Sequence, residues 1–461
     1  MQQRVSLRLQ RHLYWQALCL SRHTITGLLY TGAEQFADWT ADYRLYSRDR
    51  VDVQQLFGVC RSEVESMLPM GAPLVVGMDD SILRKSGKKT PGVAWRVDPT
   101  GPPFQINFVL GQRVLQLSAA VPFGEGGTAR SIPIDFVDAP TAKRPRKNAT
   151  QQQKQEYREL QRQKNINAVA VERLTLLAVQ TARDLWATVD GRFTNRTVMK
   201  QLPEKATLIG RIRSDAKLYG VPEGEQSRPV GGRPRRYGQR LPTPEEIRQD
   251  DAIPWQTVRC YAAGKIHEFR IKTMDAVKWR PAGAGKVLRM IVIAPLGYRL
   301  SQGGKMLYRQ PAYLICTNPG LPLEEVLQAY LWRWGIEVNF RDEKSVMGVG
   351  QAQVRNEKSV QTVPAVAVAA YSLLLLAGIH AYGAEGIPQS LPDPKWLRGR
   401  KPRLCPTQRL ISQLRWETWG DQIRDRGFCG FPTHPARSGT HQKPQKPPSP
   451  LASAALYARN V

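Results

Sequence analysis

Apolar residues recur along this chain with two different periods. Over residues 1 to about 65, Leu, Trp, Ile and Phe return every three or four positions, with Arg11, His12, Arg22, His23, Arg44, Arg48 and Arg50 between them. That spacing predicts helices, with Ser21 and Thr24 as starts. At residues 73–81 (PLVVGMDDS) the pattern becomes a short unbroken apolar run closed by two carboxylates. This predicts a buried strand that delivers acids at its C-terminal end. Residues 105–121 and 131–136 predict two more strands, and residues 166–184 an amphipathic helix. Residues 185–190 (LWATVD) form a second apolar run ending in an acid, 194–202 a short helix, and 206–213 (ATLIGRIR) a further strand. The order is β β β α β α β.

The pattern then breaks. Residues 214 to about 310 hold an Arg/Gly/Pro segment at 228–240 (RPVGGRPRRYGQR) and short strand-like runs at 258–261, 266–272 and 287–294. They predict a β-rich insertion with a mobile basic loop. Residues 312–317 predict a last strand. Residues 330–344 (YLWRWGIEVNFRDEK) follow an Asn318-Pro319-Gly320 turn and predict a helix. Residues 360–383 contain no Asp, Glu, Lys or Arg and are long enough to span a bilayer. Pro364 interrupts them and Gln361, Thr362, Ser372 and His380 dilute them, so the reading is a buried helix packed on a sheet. Past 385 the chain is rich in Pro and Arg, and 433–450 are expected to be disordered. The domain boundaries that follow are 1–68 (helical), 69–213 (first part of an α/β core), 214–310 (insertion), 311–384 (second part of the core) and 385–461 (basic tail). Residues 1–68 would serve as a DNA-docking module or, equally, as a helical cap on the core.

Charge narrows the class of partner. Of 461 residues, 67 are Lys or Arg and only 39 Asp or Glu, a net charge of +28. The excess is spread along the chain, with a concentration at residues 143–164, and it implies a polyanion such as nucleic acid. The six Cys include no CxxC pair and the His are scattered, which excludes a zinc-finger spacing and a disulfide framework and points to a reducing interior. The N-terminus lacks the apolar run of a signal peptide.

The candidate chemistry lies in the acids. On a helix turning about 100° per residue, Tyr330, Arg333, Glu337 and Lys344 fall within an arc of about 60°. Asp342 and Glu343 fall far from it. One acid among cations on one stripe suits a metal ligand working beside a phosphate backbone. Set beside two strands that end in acids, it outlines a two-metal site built from Asp80 (or Asp79), Asp190 and Glu337. Neighbouring Asp79 and Asp80 point to opposite faces of a strand, so one of them should reach the metals. Trp332, Trp334 and Phe340 are expected to pack the helix onto the sheet.

At these residues the chain resembles a known family. Tyr330-x2-Arg333-x3-Glu337-x6-Lys344 matches the Y-x2-R-x3-E-x6-K signature of a large group of bacterial insertion-sequence transposases of the DDE class, whose catalytic core is RNase H-like. Arg333-Trp334-x-Ile336-Glu337, Asp80-Ser81 and Val189-Asp190-Gly191-Arg192 are similar to the same group, over roughly residues 70–380. The resemblance implies an α/β fold with a mixed five-stranded sheet flanked by helices and a β-rich insertion before the Glu-bearing helix. It implies Asp80, Asp190 and Glu337 as catalytic ligands of Mg²⁺, for which Mn²⁺ would substitute; Asp80 is preferred to Asp79 because Ser81 follows it. Tyr330, Arg333 and Lys344 would grip DNA phosphates, with Arg341 and Arg192 as further contacts. The expected partners are double-stranded DNA, as transposon ends and target, and a second copy of the chain on that DNA, with no membrane. The expected location is the bacterial cytoplasm, at the nucleoid. The rival readings are a nuclease of the same fold that does not transpose and a catalytically dead DNA-binding relic.

Overall fold

A computed structural model describes residues 3–98, 101–102, 104–124, 127–142, 144–222, 235–299, 303–383, 385, 387 and 404–426, with side chains to 419. Most of the 228–240 loop and the 433–450 segment lie outside the described residues.

The chain starts with four helices, α1 (Gln3–Leu18), α2 (Ile25–Thr31), α3 (Thr40–Ser47) and α4 (Val53–Met67). Thr24 caps α2 by accepting from the Gly27 amide, and Asp52 caps α4 by accepting from the Gln55 amide. Strands β1 (Leu74–Arg84), β2 (Ala94–Val97), β3 (Phe108–Phe123) and β4 (Thr128–Asp138) follow. Next come α5 (Gln151–Gln163), α6 (Ile166–Gln180), β5 (Leu185–Val189), α7 (Arg196–Lys200) and β6 (Ala206–Arg211). A capping box at Thr150–Gln153 starts α5, which buries no residue.

These strands form the RNase H-like core that the family resemblance implies. β4 pairs with β3 and β3 with β1, both antiparallel, while β1–β5 and β5–β6 are parallel. The central strands bury both faces: β5 is buried at all five positions and β1 at its first five. That is why they read as unbroken apolar runs rather than alternating ones.

The sheet does not stop at five strands. The insertion supplies β7 (Leu218–Tyr219), α8 (Pro244–Gln249), β8 (Gln256–Ala262), β9 (Lys265–Trp279), β10 (Leu288–Ile293), β11 (Gly297–Tyr298) and β12 (Leu307–Tyr308). Strand β13 (Ala312–Cys316) lies against β6, β10 against β13 and β9 against β10, so the insertion extends the core into one eleven-stranded sheet. Short runs such as 287–294 predict strands but carry no sign of which edge they join; only long-range pairing fixes that.

Past β13 come α9 (Leu323–Trp332) and α10 (Trp334–Ser345), then α11 (Glu357–Tyr382) and α12 (Thr407–Arg426). The single helix expected over 330–344 is divided at Arg333. There the backbone tightens into three-residue turns, with the Arg333 amide bonded to the Tyr330 carbonyl (3.2 Å) and the Ile336 amide to the Arg333 carbonyl (3.1 Å). Just after the break the helix passes against β4 so closely that a Cβ on Gly335 would stand 2.5 Å from Ser131 Cβ. Helix α11 is the apolar helix expected over 360–383. It is a core helix, 78% buried over its most apolar stretch, and it joins the main core cluster beside β4, α1 and α4. The N-terminal helices thus dock on the core, with Ala17, Phe57 and Val64 in its apolar interior.

Candidate active site

Parallel pairing brings the strand-end acids together. Met78 stands opposite Val189 in the β1–β5 ladder, so Asp190, just past the end of β5, comes alongside Asp79, which stays in β1 paired with Gln116 of β3. The Asp79 carboxylate accepts from the Asp80 amide (2.8 Å) and from Arg333 Nη1 (3.4 Å). Burial pushes its carboxyl up to about 7, with Asp190 and Asp80 adding to the rise and Arg333 opposing it. The Asp190 carboxylate accepts from the Arg192 amide (2.9 Å).

The helix break places Arg333 over this pair of acids. Gly77, two residues before Asp79 on the same strand face, has room for a Cβ only up to the Arg333 backbone, 3.5 Å away. The Arg333 guanidinium forks, with Nη1 toward Asp79 and Nη2 toward Glu337 (3.1 Å). The guanidinium also lies 5.8 Å from the centre of the Tyr330 ring. Lys344, two turns beyond Glu337, donates to Ser81 Oγ (2.6 Å), on the Asp79 face of β1. Burial lowers the Lys344 pKa. Four residues of the stripe therefore gather along one line: Tyr330, Arg333, Glu337 and Lys344.

Other expected residues stand elsewhere. Asp80 faces the opposite side of β1, as alternation requires, and both its oxygens lie 2.6 Å from Arg192 Nη1. The structure thus brings Asp79, not Asp80, to the Arg333–Glu337 pair. The serine beside Asp80 lies within β1, which runs on to Arg84, and held no information about which face turns inward. Arg341 points outward and pairs with its neighbour Asp342. Trp332 does pack, donating its indole N–H to the Gly127 carbonyl (2.6 Å), and Phe340 is buried. Trp334 instead is 62% exposed, because the break at Arg333 turns it away from the sheet.

A buried polar seam anchors α10. The Asn339 amide bonds the hydroxyls of Ser118 and Ser131 (3.1 Å each), and Gln116 donates to Glu343 (2.9 Å). Asp342 accepts from Thr407 at the start of α12 (2.6 Å). Glu343 is 1% exposed, and burial pushes its carboxyl up to about 8. Its place in the sequence, one residue from Lys344, gives no hint of this.

A cleft of about 990 Å³ opens beside Asp190, lined by Gly191, Arg211, Arg213, Arg248, Trp279 and Tyr313 among others. Its arginines come from β6, the turn after it and α8, which is why no local sequence pattern announces it.

Three carboxylates from separate elements supply hard oxygen donors, the chemistry a divalent cation of the Mg²⁺ type needs. Asp79 and Asp190 fit such an ion: burial, with Asp190 beside it, lifts the Asp79 pKa, and a bound cation would relieve that. Glu337 is held one ion pair away, on Arg333. Accordingly, among the described residues no three His, Cys, Asp or Glu side chains stand close enough to grip an ion together.

No curated protein matches the chain. The family model described as DDE superfamily endonuclease matches residues 7–284, more than half of the chain, taking in both acid-bearing strands and ending before the Glu337 helix. With that match laid over an RNase H-like sheet whose parallel strands set Asp79 and Asp190 side by side, the chain belongs to the DDE superfamily endonuclease family.

Proposed function

We propose that this endonuclease is a DNA transposase that binds the terminal inverted repeats of its own insertion sequence, frees the 3′ ends and joins them to target DNA. The observation that carries the reading is the convergence of Asp79, Asp190 and the Arg333–Glu337 pair at one sheet end, beneath a stripe continued by Tyr330 and Lys344. Asp79, Asp190 and Glu337 would hold the divalent ions, Mg²⁺ by preference with Mn²⁺ as substitute. Such ions supply an activated water or hydroxyl and stabilise the leaving oxygen.

The chain's own residues do the rest. Arg333 and Lys344 present cations where a strand passing over the acids would place its phosphates, and Arg333 offers a fork suited to two oxygens. Tyr330, half-buried beside Arg333, limits the directions that guanidinium can take. In the free protein Arg333 neutralises Asp79 and Glu337. A phosphate arriving there would compete for the guanidinium and release both acids. Substrate binding and assembly of the acids would then be coupled, so that the acids gather only with DNA in place. The net charge of +28 supports binding along an extended DNA surface, and two ends held together call for two copies of the chain. The reading places the protein at the bacterial nucleoid.

The test is cleavage of a labelled duplex carrying the gene's own flanking sequence, with Mg²⁺ or Mn²⁺. Nicking at the element end by the wild type, lost in Glu337→Gln and Asp190→Asn while binding persists, supports the reading. Cleavage that survives both changes sinks the proposed acids. Binding without cleavage by the wild type would favour the DNA-binding relic.

A further inference from the structure

The reverse side of β1 carries a second charged cluster. Asp80 points there, beneath Arg192. The ladder pairs Ile82 with Arg113 and Arg96 with Val109, which puts Arg96, Arg113 and Asp80 on the same face of the sheet. Arg96 Nη1 and Arg113 Nη2 both donate to Thr141 Oγ1 (2.9 and 3.3 Å), and Arg113 Nε donates to the Ala139 carbonyl (3.2 Å). Asp138 lies behind them, opposite Val114 on the other face and beside Gln112, and attracts both arginines from there.

On this face the three guanidiniums share Asp80, with Asp138 behind Arg96 and Arg113 and Asp190 and Asp79 also drawing on Arg192. Arg96 Nε and Nη2 are shut off from water and have no acceptor. Burial, with Arg96 close by, pushes Arg113 down to about 10. Buried guanidinium donors without acceptors are costly, and an anion would satisfy them. The corner is also open on one side, since the Arg192 side chain is 52% exposed. Past Thr141 the chain continues through Arg144, Arg146 and Lys147 to α5, an exposed helix carrying Lys154, Arg158 and Arg162.

We propose that Arg96, Arg113 and Arg192 form a phosphate-binding corner for a backbone phosphate of the DNA other than the one under attack, on the side of β1 away from Asp79. Asp80 occupies Arg192 until a phosphate displaces it. The inference rests on the DNA-processing reading above. It adds a second point of grip, so that β1 sits between two phosphates of the bound DNA.

The test is binding of full-length protein to the labelled flanking duplex across a series of KCl concentrations. Arg96→Ala and Arg113→Ala should each reduce the slope of log affinity against log salt by about one. Arg96→Lys and Arg113→Lys should keep the slope but bind several-fold more weakly, since an ammonium lacks the fork. Asp80→Asn, which removes the competitor for Arg192, should tighten binding several-fold. Melting curves of each variant report folding. Wild-type slopes in both folded alanine variants would overturn the corner; where an alanine variant does not fold, wild-type affinity of its lysine counterpart would overturn it instead. A wild-type protein that binds no DNA would overturn the functional reading as well, which separates the two failures.

Discussion

Asp79 and Asp80 are adjacent in sequence and face different surroundings. Asp79 shares a buried space with Asp190 and Arg333, whereas Asp80 is matched by Arg192. Asp79→Asn should therefore lower metal-dependent cleavage by about 10³-fold or more. Asp80→Asn, which breaks an ion pair to a half-exposed arginine, should change it by less than about tenfold. Equal loss in both would show that the acids are sorted differently in the working complex. Protons compete with a cation for Asp79. Its pKa of about 7 means that Mg²⁺ affinity, read by calorimetry, should fall as pH drops below 7 and level off above it. Glu343 has the opposite importance, to stability rather than chemistry. Its folded pKa of about 8 lies above the ordinary 4.5, so its contribution is fully present below about pH 4.5 and is lost as pH rises through 8. Glu343→Gln should flatten that loss, giving a higher melting temperature than wild type at pH 9, because the amide keeps an acceptor for Gln116 without a charge to bury. A wild-type melting temperature that does not fall between pH 5 and 9 would remove the basis for this prediction.

Among the elements, the α9–α10 pair decides where the chemistry sits. The periodicity of residues 330–344 was legible, and so was the stripe of Tyr330, Arg333, Glu337 and Lys344, because side chains three, four and seven apart share a face in either a continuous or a tightened helix. The break at Arg333 was not legible. It comes from the close pass of Gly335 against Ser131, a contact between residues 204 apart in sequence. Gly335→Ala should test it. Alanine favours a helix by about 1 kcal/mol, but a Cβ placed 2.5 Å from Ser131 Cβ forces α10 off β4, and such overpacking costs about 1–3 kcal/mol. The expected outcome is a net fall in the stability measured by denaturant, with cleavage reduced further than stability alone explains because Glu337 moves with the helix. A more stable, fully active variant would show that the contact relaxes freely.

At the scale of the whole molecule, the ends of the chain close around the core. The Tyr14 hydroxyl in α1 meets Thr418 in α12 (2.6 Å), Arg415 donates to the Cys19 carbonyl (2.8 Å), and Leu410, Ile411 and Leu414 of α12 are buried. Burying a large aliphatic side chain contributes about 1.5–3 kcal/mol, so truncation before residue 404 should lower the melting temperature sharply and expose the faces of α1 and α11. An unchanged melting temperature would mean that α12 contributes little to this closure. Through Thr407 and Asp342 the same segment steadies the helix that carries Glu337, more than sixty residues upstream.

The apolar runs at 73–81 and 185–190 were enough to place two buried strands carrying acids, although β1 runs on past its pair to Arg84, and the spacing of the stripe was enough to name the family it resembles. Both are local: a buried parallel strand needs an unbroken apolar run, and a helix face repeats within a few residues. The local pattern also carried the buried helix α11, whose Pro364 and scattered polar residues argued against a bilayer span despite its length. Which of Asp79 and Asp80 turns toward Glu337, how the insertion strands extend the sheet, and where Arg96, Arg113 and Arg192 meet were decided only by tertiary structure. Each depends on strand register and on contacts between residues far apart in the chain, and a shift of one residue in register would turn every one of those side chains to the opposite face.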